Sequence, residues 1–238
     1  MKYFPAFWVI TLFMFASCSD DSGNPNTEND IPFVTDHFAV DAAGNTYLAG
    51  FDQVSSNNQD PFIHKKNSRG ETLWRLRYEE TPVDGRAVLV AWSEGRLYAV
   101  MTVDGGSVAT NSITRHQVVP GAFEGVFQSG YGVGGGPRVS LVMEIDSETG
   151  KIKKGTFITA RLTDGNTNAL LVPQIGFSNG RIVLRAVAAA WPPGAGTSYV
   201  RFPNISDADR IEDAFWLRYE IELDFSRISK ADLLQSTF

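Results

Sequence analysis

Apolar residues along the chain fall into short runs broken by glycine turns, and the runs recur in pairs. Residues 38–51 hold one run around Phe38 and Val40, a turn at Gly44 and a second run through Tyr47, Leu48 and Phe51. The same order returns in residues 89–103 about Gly95 and in residues 172–187 about Gly180. Two runs of strand length flanking a tight glycine turn predict a β-hairpin at each place. A second hairpin follows each first one: residues 62–78 turn at 68–70, and residues 142–158 turn at 147–150. The third pair is residues 219–224 followed by a weaker segment from Ser226, in which residues 230–235 read equally as strand or helical turn.

Strands of the first hairpins are apolar on both faces, as in Leu97, Tyr98, Ala99, Val100 and Met101. Both faces must then be covered by other layers. The expectation is an all-β fold of antiparallel four-stranded repeat units stacked face to face, the arrangement of a β-propeller. The units fall at about residues 36–80, 86–160 and 168–238. Closed propellers have at least four blades. Three units therefore imply assembly with other copies, an open or incomplete stack, or a shortened relative of a longer protein.

The first unit carries Asp41, Gly44, Asn45, Tyr47 and Gly50, then Gly70 and Trp74. This series resembles bacterial β-propeller repeats with D-x-x-G-N-x-Y-x-x-G and G-x-x-x-W elements. The resemblance covers residues 36–80 and implies a propeller scaffold without implying an activity.

The amino terminus has a different pattern. Lys2 precedes an apolar run of residues 3–15, and Ala16, Ser17 and Cys18 follow, the order of charge, hydrophobic core and small residues in a secretory signal. The run is shorter than the roughly 20 residues needed to cross a bilayer. Residues 15–18 resemble the lipobox of bacterial lipoproteins, which implies diacylglycerol on Cys18 after removal of residues 1–17. Residues 18–31 are polar and acidic and predict a disordered tether, leaving a β domain at 32–238. The Ser-Asp-Asp after Cys18 resembles a surface-export signal of lipoproteins from Bacteroidetes-like bacteria. Together these features imply a lipid-anchored protein of the bacterial cell envelope, on the outer membrane and facing either the periplasm or the outside.

Charge narrows the function classes. The chain has 21 basic and 27 acidic residues, and only Lys2 lies within residues 1–17, so processing makes it one charge more acidic than −6. Basic residues at 64–77 alternate with apolar ones as in ordinary strands, which argues against nucleic acid. Cys18 is the only cysteine, so an internal disulfide and a cysteine-based metal site are excluded. His37, His64 and His116 have no metal-ligand spacing and no Ser-His-Asp order. No metal or cofactor is expected.

The glycine series at 130–135 fits G-x-G-x-x-G, but Pro137 and a strand-like run follow where a dinucleotide site needs a helix, so it reads as loop. Asp41, Gly44 and Asn45 supply too few carboxylates for a calcium loop, and turn chemistry accounts for them.

Candidate binding residues come from the links between second and third strands, at 52–60, 104–138 and 191–213. In a propeller these links emerge on one face, and variable loops on a rigid scaffold carry function. Phe123, Phe127, Tyr131, Trp191 and Tyr199 are the candidate apolar platform, with Arg115, His116 and Arg201 as donors beside it. Aromatic faces and planar donors suit a glycan or a protein partner. The alternatives are a glycan hydrolase or lyase drawing carboxylates from Asp104, Glu124, Asp207 or Asp213, and a structural envelope protein; no residue pattern identifies a catalytic group. Self-association is a further expectation.

Overall fold

The computed structural model of the protein describes residues 31–56, 58–78, 84–104, 118–134 and 136–238. Ile31–Phe238 is one compact unit, and Cys18, Arg115 and His116 lie outside the described residues. Fourteen strands occur among the described residues. The first four are β1 (Phe38–Val40), β2 (Thr46–Ser55), β3 (Asn58–Lys66) and β4 (Thr72–Arg77). They are followed by β5 (Gly85–Ser93), β6 (Arg96–Asp104), β7 (Arg138–Ile145) and β8 (Ile152–Ile158). A small hairpin, β9 (Ala160–Arg161) and β10 (Thr167–Asn168), precedes β11 (Leu170–Ser178), β12 (Arg181–Ala188), β13 (Phe215–Glu222) and β14 (Ile228–Leu233). The fold is all-β with antiparallel sheets, and no α-helix occurs among the described residues.

Pairing runs β1-β2-β3-β4 in one sheet. In the second, β5-β6-β7-β8 and β11-β12-β13-β14 are each antiparallel meanders, joined by the single parallel pair Leu170 and Val139. The hairpins form where the glycine turns are. At β5–β6 the central residues Glu94 and Gly95 have φ of 49° and 76°, and Ser93 pairs with Arg96. Two positive φ values at a two-residue turn give the twist that adjacent antiparallel strands need. Asn179 and Gly180 repeat this between β11 and β12. β14 resolves the ambiguous segment as strand, pairing Leu217–Leu233 through Ile221–Ile228.

One link differs from expectation. Residues 52–60, read as a loop, are the tips of β2 and β3, with Asp52 paired to Asp60 and Gln53 to Gln59. Polar side chains there satisfy one another within the sheet: Arg75 holds Asp52 at 2.7 Å, and Arg77 holds the buried Asp60 at 3.1 Å.

Two hydrophobic cores lie on opposite faces of the middle meander. On β6, Leu97, Ala99, Met101 and Val103 point into a core shared with Tyr47, Ala49 and Ile63. Tyr98 and Val100 point the other way, into a core shared with Ile182, Leu184, Leu217 and Tyr219. Strict alternation with both sets apolar is what a strand buried on both faces requires. Residues 34–37 touch all three meanders. Val34 bridges Ile175 of β11, the Asp36 carbonyl accepts from Val90 of β5, and the His37 carbonyl accepts from Ala49 of β2.

The Asp41 motif organises the first turn. Its carboxylate accepts the backbone N–H of Ala43 and Asn45 at 2.9 Å, the Asn45 amide at 2.8 Å and the Tyr47 hydroxyl at 3.0 Å. Asp146 similarly caps the β7–β8 turn through Glu148 and Thr149 N–H, and Asp224 caps the β13–β14 turn through Ser226 N–H. Burial opposes the charge of Asp41 and Asp146, but these hydrogen bonds outweigh it and hold both carboxyls below their ordinary value; the Ser226 bonds do so for Asp224. The folded chain thus binds these protons more weakly than the unfolded chain. Their stabilisation is complete above the usual aspartate range near about 4 and is lost as pH falls through the lower folded values. Melting temperature is expected to change little from pH 7 to about 5 and to drop below about 4, with a shallower drop in Asp41→Asn. Thermal denaturation across that range checks it; equal acid sensitivity in both chains would remove Asp41 from the account.

Candidate functional site

Two long links remain once the β2–β3 tips are assigned to strands: residues 105–137 between β6 and β7, and residues 189–214 between β12 and β13. The described part of the first, from Val118, runs along the edge of β8 that β7 leaves open. Val119 N–H donates to Ile152 O, Gly155 N–H to Ala122 O and Phe157 N–H to Gln128 O, at 2.9–3.1 Å. Phe127 N–H then donates to Phe225 O at 2.8 Å, tying the link to the β13–β14 turn. In the second link Pro193 pairs with Arg201, and Gly196 exchanges two 2.9 Å hydrogen bonds with Ile228.

Between these links lies an open cleft of about 1090 Å³. Phe123 and Phe127 line it on one side; Arg161, Ser198 and Tyr199 line it on the other. Phe123 is half-buried against Phe157, ring centroids 5.9 Å apart, and Phe127 is buried in the core below. Gln128 crosses the floor, its amide nitrogen donating to Gly130 O at 2.7 Å and its oxygen accepting from Thr159 at 3.0 Å.

Arg161 is on β9, and its place is set by a double bond to the second link: Arg161 N–H donates to Trp191 O at 2.9 Å and Trp191 N–H to Arg161 O at 3.0 Å. The Tyr199 hydroxyl also donates to Trp191 O, at 2.9 Å, which fixes its ring beneath the Arg161 guanidinium at 4.0 Å. Burial raises the Tyr199 hydroxyl above its ordinary value, against the opposing charges of Arg161 and Arg201, so it remains a donor at neutral pH.

The expected platform is therefore divided. Phe123, Phe127 and Tyr199 border one cleft. Tyr131 is buried in the core between the first and middle meanders, its hydroxyl donating to Pro137 O at 2.6 Å. Trp191 packs at the edge of the other core with Phe215, and Arg201 stacks on its ring at 3.5 Å. Among the carboxylates weighed for hydrolysis, Asp104 is paired with Arg138 and Asp207 with Arg210, while Glu124 lines the cleft. The glycine series at 130–135 lies in the loop, with Gly132 packed so closely on Thr167 that a β-carbon would meet its hydroxyl at 2.5 Å. His37 pairs with Asp36 and His64 with Thr72, and no three metal-ligating side chains converge among the described residues.

Arg161, Gln128 and Ser198 were absent from the sequence expectation. The Asp164-Gly165 turn after Arg161 is a hairpin signal of the right kind, but a two-residue strand carries too little apolar pattern to be read. A smaller cavity, about 320 Å³ at the β6–β7 side, holds Glu144 between Lys153 at 2.7 Å and Arg96 at 3.6 Å. Glu144 is thus satisfied by two cations within the protein. In comparison with known proteins, no protein-family model matches the chain and no curated protein is significantly similar to it.

Proposed function

We propose that this chain is a lipid-anchored protein of the bacterial cell envelope, whose stacked meanders form an open, three-bladed, propeller-like scaffold that binds a glycan in the cleft between its two long links. The observation that carries the binding reading is the cleft itself, lined by Phe123 from the first link, by Tyr199 from the second with Arg161 stacked on its ring, and by exposed hydroxyls. Sugars are recognised by that combination, since their C–H faces stack on aromatic rings while their hydroxyls need directional partners. Ser129, Thr197 and Ser198 line the cleft and their side chains make no hydrogen bond among the described residues, which leaves them available to a ligand.

Binding is favoured over hydrolysis because Glu124 is the sole carboxylate among the described residues that line the cleft, whereas the usual glycosidase route employs two. The propeller-like reading rests on the three meanders and on residues 34–37, which make backbone hydrogen bonds to β2, β5 and β11. The anchor reading rests on the signal-like order of residues 2–18.

A glycan array probed with the full chain in detergent is expected to give binding without turnover. Tyr199→Ala, which removes one wall, is expected to weaken it at least about tenfold, the scale of a stacking contact of roughly 1.4 kcal/mol. Cys18→Ala should shift the protein from the membrane to the soluble fraction. No glycan binding overturns the ligand assignment; unchanged membrane partitioning overturns the anchor.

A further inference from the structure

We infer that the cleft selects acidic glycans, with the Arg161 guanidinium as the group that holds a sugar carboxylate. The inference rests on the glycan reading above and specifies its ligand class. It starts from how the chain treats its other arginines. Arg69, Arg75, Arg96, Arg138, Arg210 and Arg218 each face a carboxylate at 2.7–3.6 Å. That is the expected outcome in an acidic protein, where a carboxylate is seldom far from any guanidinium.

Arg86, Arg161, Arg185, Arg201 and Arg227 face no carboxylate among the described residues, and of these Arg161 is the one that lines the cleft. Its backbone is clamped to Trp191 and its guanidinium lies on the Tyr199 ring, yet no carboxylate or carbonyl pairs with that guanidinium among the described residues. Glu124, across the cleft, makes no ion pair with it; the Glu124 carbonyl instead takes Lys154 Nζ at 2.6 Å. Stacking occupies one face of the planar group and leaves its N–H edge, which points donors in a fixed fork, free for a ligand. A carboxylate matches that fork with two parallel hydrogen bonds. Arg201, stacked on Trp191 and likewise without an acidic partner among the described residues, adds positive potential on the same link. Packing of Trp191 on Phe215 and the hydrogen bond from the Tyr199 hydroxyl to Trp191 O fix the geometry before ligand arrives, so little side-chain entropy is lost on binding.

The test uses the full chain in detergent on an array that includes neutral glycans and uronate- or sialate-bearing glycans, followed by titration of the hits at two salt concentrations. The expected hits carry carboxylates, with affinity falling as salt rises. Methyl-esterifying the carboxyls of a hit is expected to weaken binding about 10- to 100-fold, the scale of losing a charge-assisted pair. Arg161→Gln should do the same to the free acid while leaving the ester unaffected, and Arg161→Lys should restore part of the loss. The esterification arm requires no variant, so it stands if a variant folds poorly. Hits confined to neutral glycans, or equal affinity for acid and ester, overturn the acidic class while leaving glycan binding intact. An array with no hits, or binding only to acidic peptides, overturns both.

Discussion

Gly150→Ala is expected to destabilise the protein by about 3–4 kcal/mol, far more than an alanine at most surface turns. Gly150 has φ of +76°, which costs a β-carbon about 1–2 kcal/mol. The added carbon would also lie 2.7 Å from Leu76 Cδ1 and 3.0 Å from the Trp74 ring, an overpacking cost of about 1–3 kcal/mol. The β7–β8 turn is where the first meander is fastened to the middle one. Trp74 Nε1 donates to Ser147 O at 3.0 Å, the Tyr78 hydroxyl to Gly150 O at 2.6 Å, and buried Lys65 to Ser147 O at 2.8 Å and Glu148 at 2.9 Å. Gly70→Ala is the control. Gly70 has φ of +82° with nothing near its missing β-carbon, so its substitution should show the conformational cost alone, about 1–2 kcal/mol. Urea denaturation of both variants checks the difference. Equal losses would mean that the interface between the meanders yields easily at this point.

Tyr47→Ala should cost about 3–5 kcal/mol, the range for removing a buried aromatic side chain. Tyr47 is fully buried; it stacks on Trp92 at 5.9 Å with planes 9° apart and meets Trp74 at 6.2 Å. Its hydroxyl is raised well above the ordinary value by burial and by Asp41, so it always donates to that carboxylate. Tyr47→Phe retains the packing and loses this one bond, for an expected cost of about 1 kcal/mol. Both tryptophans report the change through near-ultraviolet circular dichroism. A Phe variant as unstable as the Ala variant would place the energy in the hydroxyl network and not in the packing.

These two sites show how the first unit's motif works. Asp41, Asn45 and Tyr47 form one hydrogen-bonded turn, and Trp74 is the anchor that joins its sheet to the next. Both roles are structural. The motif therefore carries information about how meanders stack and none about what the protein binds.

The strand hairpins were legible along the chain, because turn chemistry acts over a few residues. Gly95 and Gly180 follow residues that tolerate positive φ, and Asp41 and Asp146 cap turns within five residues of themselves. The covering of β6 on both faces was equally legible, since period-two burial leaves an unbroken apolar run in one dimension. Strand tips were hidden where they are polar: Gln53 and Gln59 look like loop until cross-strand pairing supplies their partners.

The site depended on tertiary structure. Tyr131 and Tyr199 are the same residue type in loops of the same kind, yet one is buried against the middle meander and the other lines a cleft. Arg161 sits a few residues from a turn like many other arginines, and only the fold shows that no carboxylate meets it among the described residues. Hydrogen bonds within a hairpin are set by neighbours along the chain, whereas a cleft and its uncompensated charge arise from segments about 28 and 36 residues apart. Folding alone brings those together.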